Sequence, residues 1–175
     1  LVIPPAVFLI DDRAFVFLGV LAIAAAAREA GHSVEVLDLT GHSRRCPLKN
    51  HDAACAAHTL EESCRKVADM ATRVDVLGFY SMAALHCFVS KFLAPAKEAN
   101  PSVVCVLGGP HASTAPERCI AEGWDYVVIS DQGGGGGEPG FLEVLEFVKW
   151  KRRPRGSGPK RLPLAPSTDG PCGSS

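Results

Sequence analysis

Apolar residues fall in short dense runs divided by Ala-rich or amphipathic stretches, and this alternation continues from the start of the chain to about residue 151. The run Ala6–Ile10 predicts a first strand that ends in Asp11-Asp12-Arg13, where polar residues return as the chain leaves the sheet. Phe15 to Ala30 is nearly all apolar and rich in Ala, which predicts a helix packed deep against the sheet and closed by Gly31. Val34–Leu39 is the second strand, and Thr40 to Ala57, without a clear period, reads as a long loop. A helix over about Leu60–Arg73 leads to a strand at Val74–Tyr80, with Ser81 the first small polar residue past its end. Met82 to Ala99 predicts a third helix that Pro95 should kink or shorten.

The stretch Val103 to Thr114 organises the rest. Five apolar residues, Val103 to Leu107, predict a strand buried on both faces, and it stops at Gly108-Gly109-Pro110. A Gly pair at the carboxyl end of a strand either makes a tight turn or lets a ligand lie against the main chain. A short helix follows over Ser113–Glu122, with Ser113 or Thr114 as cap and Gly123 as stop, and then a fifth strand, Trp124–Ser130. After Asp131-Gln132 and five consecutive Gly, Glu138-Pro139 opens a last helix that runs to about Lys151.

Strands alternating with helices demand parallel pairing through right-handed crossovers. The expected fold is therefore α/β, a Rossmann-like or flavodoxin-like doubly wound five-stranded parallel sheet in the order 2-1-3-4-5. In that order the loops after strands one, three and four meet at the switch point, bringing Asp11–Arg13, Ser81 and Gly108-Gly109 to one place.

Composition narrows the class. With 175 residues and 47% hydrophobic content, one domain with a sizeable core is expected over 1–150, followed by a tail or linker at 151–175. The net charge of -1 hides an asymmetry: the tail has six Lys or Arg against one Asp, leaving it at +5 and the body at -6. The Pro, Gly, Ser and basic content of that tail predicts disorder, and the lack of interleaved aromatics beyond Trp150 argues against nucleic-acid binding. Seven scattered Cys suit reduced thiols in a cytoplasmic protein. The longest apolar run, Ala14–Ala27, has 14 residues, short of the roughly 18 to 20 of a membrane span. No signal peptide is evident at the N-terminus, and the missing initial Met points to a start upstream of residue 1.

The common phosphate-binding signatures are absent. No G-x-G-x-x-G lies between the first strand and helix, and the glycines at 133–137 lead into Glu138-Pro139 rather than Lys and Ser or Thr. A phospho-receiver would match Asp11-Asp12, but Ser81 stands where its acceptor Asp belongs and Asp131 where its Lys belongs.

Four segments together carry a family resemblance: 28–39 (Arg-Glu-Ala-Gly-His-Ser-Val-Glu-Val-Leu-Asp-Leu), 75–81 (Asp-Val-Leu-Gly-Phe-Tyr-Ser), 106–113 (Val-Leu-Gly-Gly-Pro-His-Ala-Ser) and 125–129 (Asp-Tyr-Val-Val-Ile). In this order they resemble the cobalamin-binding domain found ahead of radical S-adenosylmethionine catalytic domains. The resemblance implies cobalamin lying across the carboxyl ends of the strands, with its tail threaded past Ser81 and the pair Gly108-Gly109. It further implies contacts from Met82, Pro110 and His111, from Asp11, Asp12, Arg13 and Phe15 under the lower cobalt face, and from Gly137 and Glu138 of the loop after strand five. No His occurs in 11–18, so a base-off cobalamin without a His from that loop is expected. Methyl transfer is the usual chemistry of such relatives. The iron-sulfur cluster and S-adenosylmethionine would belong to a catalytic domain in cis or trans, because Cys46, Cys55, Cys64, Cys87, Cys105, Cys119 and Cys172 lack C-x-x-x-C-x-x-C spacing.

Two alternatives stand beside this reading. The chain could be a degenerate domain that serves as an interaction module without cofactor. Separately, His42, Cys46, His51, Cys55, His58 and Cys64 crowd one region with metal-ligand side chains, though no C-x-x-C pair anchors them.

Overall fold

The computed structural model describes residues 1–5, 17–40, 53–130 and 136–152, with backbone only for 53–59. Five parallel strands form one sheet in the order β2-β1-β3-β4-β5, as the alternation of strands and helices predicts. They are β1 (Val2–Ile3), β2 (Leu37–Asp38), β3 (Val76–Tyr80), β4 (Val104–Gly108) and β5 (Tyr126–Val127). The helices are α1 (Leu18–Glu29), α2 (Ala53–Ala71), α3 (Ala83–Val89), α4 (Leu93–Ala99), α5 (Pro110–Thr114), α6 (Pro116–Ala121) and α7 (Glu138–Lys151). No helix among the described residues is long and apolar enough to cross a membrane.

The first strand lies earlier than the expected Ala6–Ile10, which falls outside the described residues. Val2 pairs with both Leu37 and Phe79, and the ladder stops at Ile3 because Pro4 and Pro5 have no N–H to continue it. Asp11, Asp12, Arg13 and Phe15 also lie outside the described residues. Phe17, just beyond them, is buried and packs edge-on against Tyr80 at 5.3 Å, so the connection after β1 returns to the carboxyl edge beside β3.

Strands β3 and β4 run in register over five residues, from Val76 opposite Val104 to Tyr80 opposite Gly108. Alternate side chains of both strands face opposite sides, so each face has its own helical layer. On one face Leu77, Phe79, Cys105 and Leu107 pack with Val67, Met70, Leu85, Val89 and Phe92. On the other, Val106 and Val128 pack with Phe141 of α7, with Ile23 of α1 alongside. Gly78 makes that second layer possible, since a Cβ there would meet the Phe141 ring at 3.0 Å and Leu1 at 2.6 Å. Each fully buried Leu or Phe contributes about 1.5–3 kcal/mol, so the two layers outweigh any single polar contact.

The expected third helix is split in two by a 3₁₀ turn at Ser90–Phe92. Pro95 cannot donate to the carbonyl of Lys91 four residues back, and the Cys64 thiol donates to that oxygen instead, at 3.7 Å. The fourth helix begins at Pro110 rather than Ser113 and breaks at Ala115 before Pro116. Gly109 is its N-cap and Pro110 its first residue, so Ser113 and Thr114 lie inside the helix and cap nothing.

Asp125 joins β4 and β5 to the helical layer. Its Oδ2 accepts from the Cys105 N–H at 2.7 Å and from Lys97 Nζ at 2.5 Å, while Lys97 also donates to the Val103 carbonyl at 2.7 Å. Asp125→Ala strips the acceptor from a half-buried backbone N–H. It should lower stability by about 1–3 kcal/mol, read as a reduced urea midpoint with an unchanged slope.

Candidate functional site

The in-register end of β3 and β4 places Ser81 against the Gly pair. Ser81 N–H donates to the Gly108 carbonyl at 2.9 Å, and the His111 N–H donates to the Ser81 carbonyl at 3.1 Å. This stitch holds the start of α5 to the end of β3. Gly109 permits it: its φ is +98°, and a Cβ there would lie 2.6 Å from the Ser81 carbonyl oxygen and 3.0 Å from the Tyr80 ring. The bare side of Gly109 is thus closed by the chain's own atoms. Gly108 differs: among the described residues a Cβ there would meet only Val128, at 4.0 Å, and these residues leave room over the main chain at the end of β4.

Val128 also lies close to Gly137, where a Cβ would be 3.7 Å from its methyl. The N-terminus of α7, with Gly137 as N-cap and Glu138 in its first turn, therefore sits beside the same strand ends. Met82, half-buried, is the N-cap of α3, and Pro110 is exposed on the rim. Ser113 Oγ lies 3.0 Å from Ser130 Oγ and accepts from the Ser130 N–H at 3.1 Å, tying α5 to the chain beyond β5. Of the sequence-derived site residues, Ser81, Met82, Gly108, Gly109, Pro110, His111, Gly137 and Glu138 are accordingly found along one carboxyl edge.

Beneath this edge lies a polar cluster that sequence reasoning did not find. Ser81 Oγ is fully buried and lies 3.0 Å from His86 Nδ1, and His86 Nε2 is 2.8 Å from Glu122 Oε2. A carboxylate only accepts, so Nε2 carries a proton, and in the neutral ring Nδ1 accepts from the Ser81 hydroxyl. The Ser–His–Glu order resembles a nucleophilic triad, but Ser81 at 0% exposure cannot meet a substrate, and the chain works as an internal brace. His111 stacks on His86, ring centroids 3.8 Å apart, with Cys119 of α6 close by. Its Nε2 is buried without a hydrogen-bond partner among the described residues. Burial, then the neighbouring His86 and Arg118, lowers the His111 pKa below the ordinary imidazole value despite Glu122. Burial raises the Cys119 thiol and pushes Cys105 up to about 11, so both are held protonated near neutrality.

The signals for His86 were weak. It follows Ser81 by five residues on a predicted helix, and neither Cys119 nor Glu122 belongs to any contiguous motif. Their meeting depends on how three helices pack. Of the metal-ligand side chains at residues 42–64, only Cys64 lies within the residues whose side chains are described, and it bonds the Lys91 carbonyl.

The topology and the open strand end over Gly108 define a doubly wound α/β domain of the kind that binds ligands outside the carboxyl ends of its strands. A family model for the B12 binding domain matches residues 16–134, and the chain belongs to that family. A comparison with curated proteins finds no match. Among solved structures, the chain is similar to the N-terminal domain of the hypothetical protein TM0182 of Thermotoga maritima, at 19% identity over 77% of this chain and 84% of that one, with a TM-score of 0.41.

The two glycines should respond differently to an added methyl group. Gly109→Ala forces both the left-handed backbone and the Ser81 contact, and should cost about 1–3 kcal/mol in a denaturant titration. Gly108→Ala, with open space, should cost less than about 1 kcal/mol. Equal losses would contradict the distinction between a closed and an open face.

Proposed function

We propose that this chain holds cobalamin at the carboxyl edge of its sheet, base-off and without a His from the connection after β1, as the cofactor domain of a radical S-adenosylmethionine enzyme acting in methyl transfer. Membership of the B12 binding domain family supports cobalamin as the ligand. The observation that carries the placement is the open main chain at Gly108, flanked by Ser81, His111 and the Gly137 end of α7. These residues fit the group: a long polar arm needs a route free of side chains and polar partners along it, and the half-buried Ser113 and Ser130 hydroxyls stand at the same edge.

In this arrangement the tail passes over Gly108, not Gly109, whose bare face the chain itself fills. The backbone stitch at Ser81 and His111 keeps the route rigid, and Phe17 with Tyr80 walls it from the β1 side. Asp11, Asp12, Arg13 and Phe15, within six residues before Phe17 in sequence, would line the lower cobalt face. Cobalamin, when bound, supplies a cobalt centre able to accept and pass on a methyl group. The iron-sulfur cluster and S-adenosylmethionine would be held by a catalytic domain in cis or trans. The buried, protonated thiols of Cys105 and Cys119 suit a reducing, cytoplasmic setting. We further take 1–150 as the binding domain and 151–175 as linker.

The interaction-module reading draws on the closed face of Gly109, and one experiment separates the two. The protein is mixed with hydroxocobalamin and desalted, and its visible spectrum is recorded. Binding predicts a coloured protein with a base-off spectrum, and Gly108→Leu should lose the colour while keeping its far-ultraviolet circular dichroism. A colourless wild type supports the interaction module. Full colour in Gly108→Leu would remove the tail from this route.

A further inference from the structure

We propose that His86, His111 and Cys119 form a binding site for a divalent first-row transition ion of the zinc type, beneath the carboxyl edge of the sheet. The inference does not rest on the cobalamin reading. His86 comes from α3, His111 from α5 and Cys119 from α6, and one ligand atom from each lies within 4.8 Å of the other two. Tetrahedral zinc, with bonds of about 2.0–2.3 Å, holds its ligand atoms about 3.5 Å apart. Closing the remaining gap and bringing the ion into the plane of each imidazole requires the His86 and His111 rings to turn out of their 3.8 Å stack by side-chain rotation. Two imidazoles and a thiolate are a borderline-soft donor set, which suits zinc and does not suit magnesium or calcium.

Three features distinguish the cluster from ordinary core packing. The first is the buried Nε2 of His111, which has no partner among the described residues and costs about 1–3 kcal/mol if nothing meets it. The second is the support around His86. Of its two hydrogen bonds, the one to Ser81 is sealed in the core. The other goes to Glu122, which is half-buried and also accepts from Arg118 Nε at 3.3 Å. The Glu122 bond is therefore the one able to open. Nε2 then turns to the ion, and Nδ1–H donates to the Ser81 hydroxyl, the outer-shell contact that orients a ligating His. The third is charge: Glu122 remains next to the cation and offsets part of it. Three protein ligands leave a fourth position for water or for Glu122 itself. Uptake releases the Cys119 proton to solvent, and no electron is transferred.

The test uses Co²⁺ as a spectroscopic stand-in for zinc, added to protein purified without cobalamin and stripped with a chelator. A thiolate-to-cobalt charge-transfer band and four-coordinate visible bands should appear, saturate at about one ion per chain, and vanish when Zn²⁺ displaces the probe. Cys119→Ser should remove the charge-transfer band. His111→Gln, at a half-buried position where folding is least at risk, should weaken binding by at least about tenfold. The triple variant Cys46→Ser, Cys55→Ser, Cys64→Ser should keep the band, and so should Gly108→Leu, which blocks the proposed cobalamin route alone. No band in the wild type, an undiminished band in Cys119→Ser, unchanged affinity in His111→Gln, or loss of the band in the triple variant would each overturn the site. Should Cys119→Ser fail to fold, the His111→Gln titration decides.

Discussion

The parallel pairing of β3 with β4 is the constraint on which the rest depends. Five residues of each strand match without a slip, so Tyr80 and Gly108 end side by side and the next residues, Ser81 and Gly109, are pressed together. A one-residue shift would send Leu77 and Phe79 to the wrong face and part Ser81 from the Gly pair at the same time. The hydrophobic pattern that builds the core therefore also aligns the edge. Packing sets the register, and the register sets the site.

That coupling explains why the two glycines, adjacent in sequence, do different work. Gly109 serves the fold: its left-handed backbone turns the chain straight into α5 and lets the Ser81 carbonyl approach. Gly108 leaves space at the strand end. A ligand-binding edge of this type needs both, one residue to turn the chain sharply and one to leave the main chain bare.

Much of the architecture was legible because it follows from periodicity. The strand order, the limits of α7 from Glu138 to Lys151, and the disturbance caused by Pro95 all come from local residue chemistry. The displaced start of α5 was readable in principle, since Gly109-Pro110 is itself a helix-opening pair, yet Ser113 and Thr114 offered a more familiar cap. The first strand was missed because Val2–Ile3 is two residues long and gains its place by pairing on both sides, not by its own pattern. Ser81, Gly108 and His111 stood out because they lie at strand ends. His86, Cys119 and Glu122 did not, since each is an unremarkable helix residue until tertiary packing gathers them. Interactions that cross three helices leave no spacing for a sequence to display.

Helix α7 runs from one edge of the sheet to the other. It begins at Gly137 against Val128, near the open strand end, and finishes where Arg152 pairs with Asp75 and donates to the Ser102 carbonyl at the opposite edge. Fourteen residues of helix make a rod of about 21 Å, anchored at its first turn by Phe141 in the notch left by Gly78. Phe141 and Val148 are both buried, so the rod is held near each end. The strand end at Gly108 and the entry to β3 at Asp75 are thereby spanned by a single rigid element.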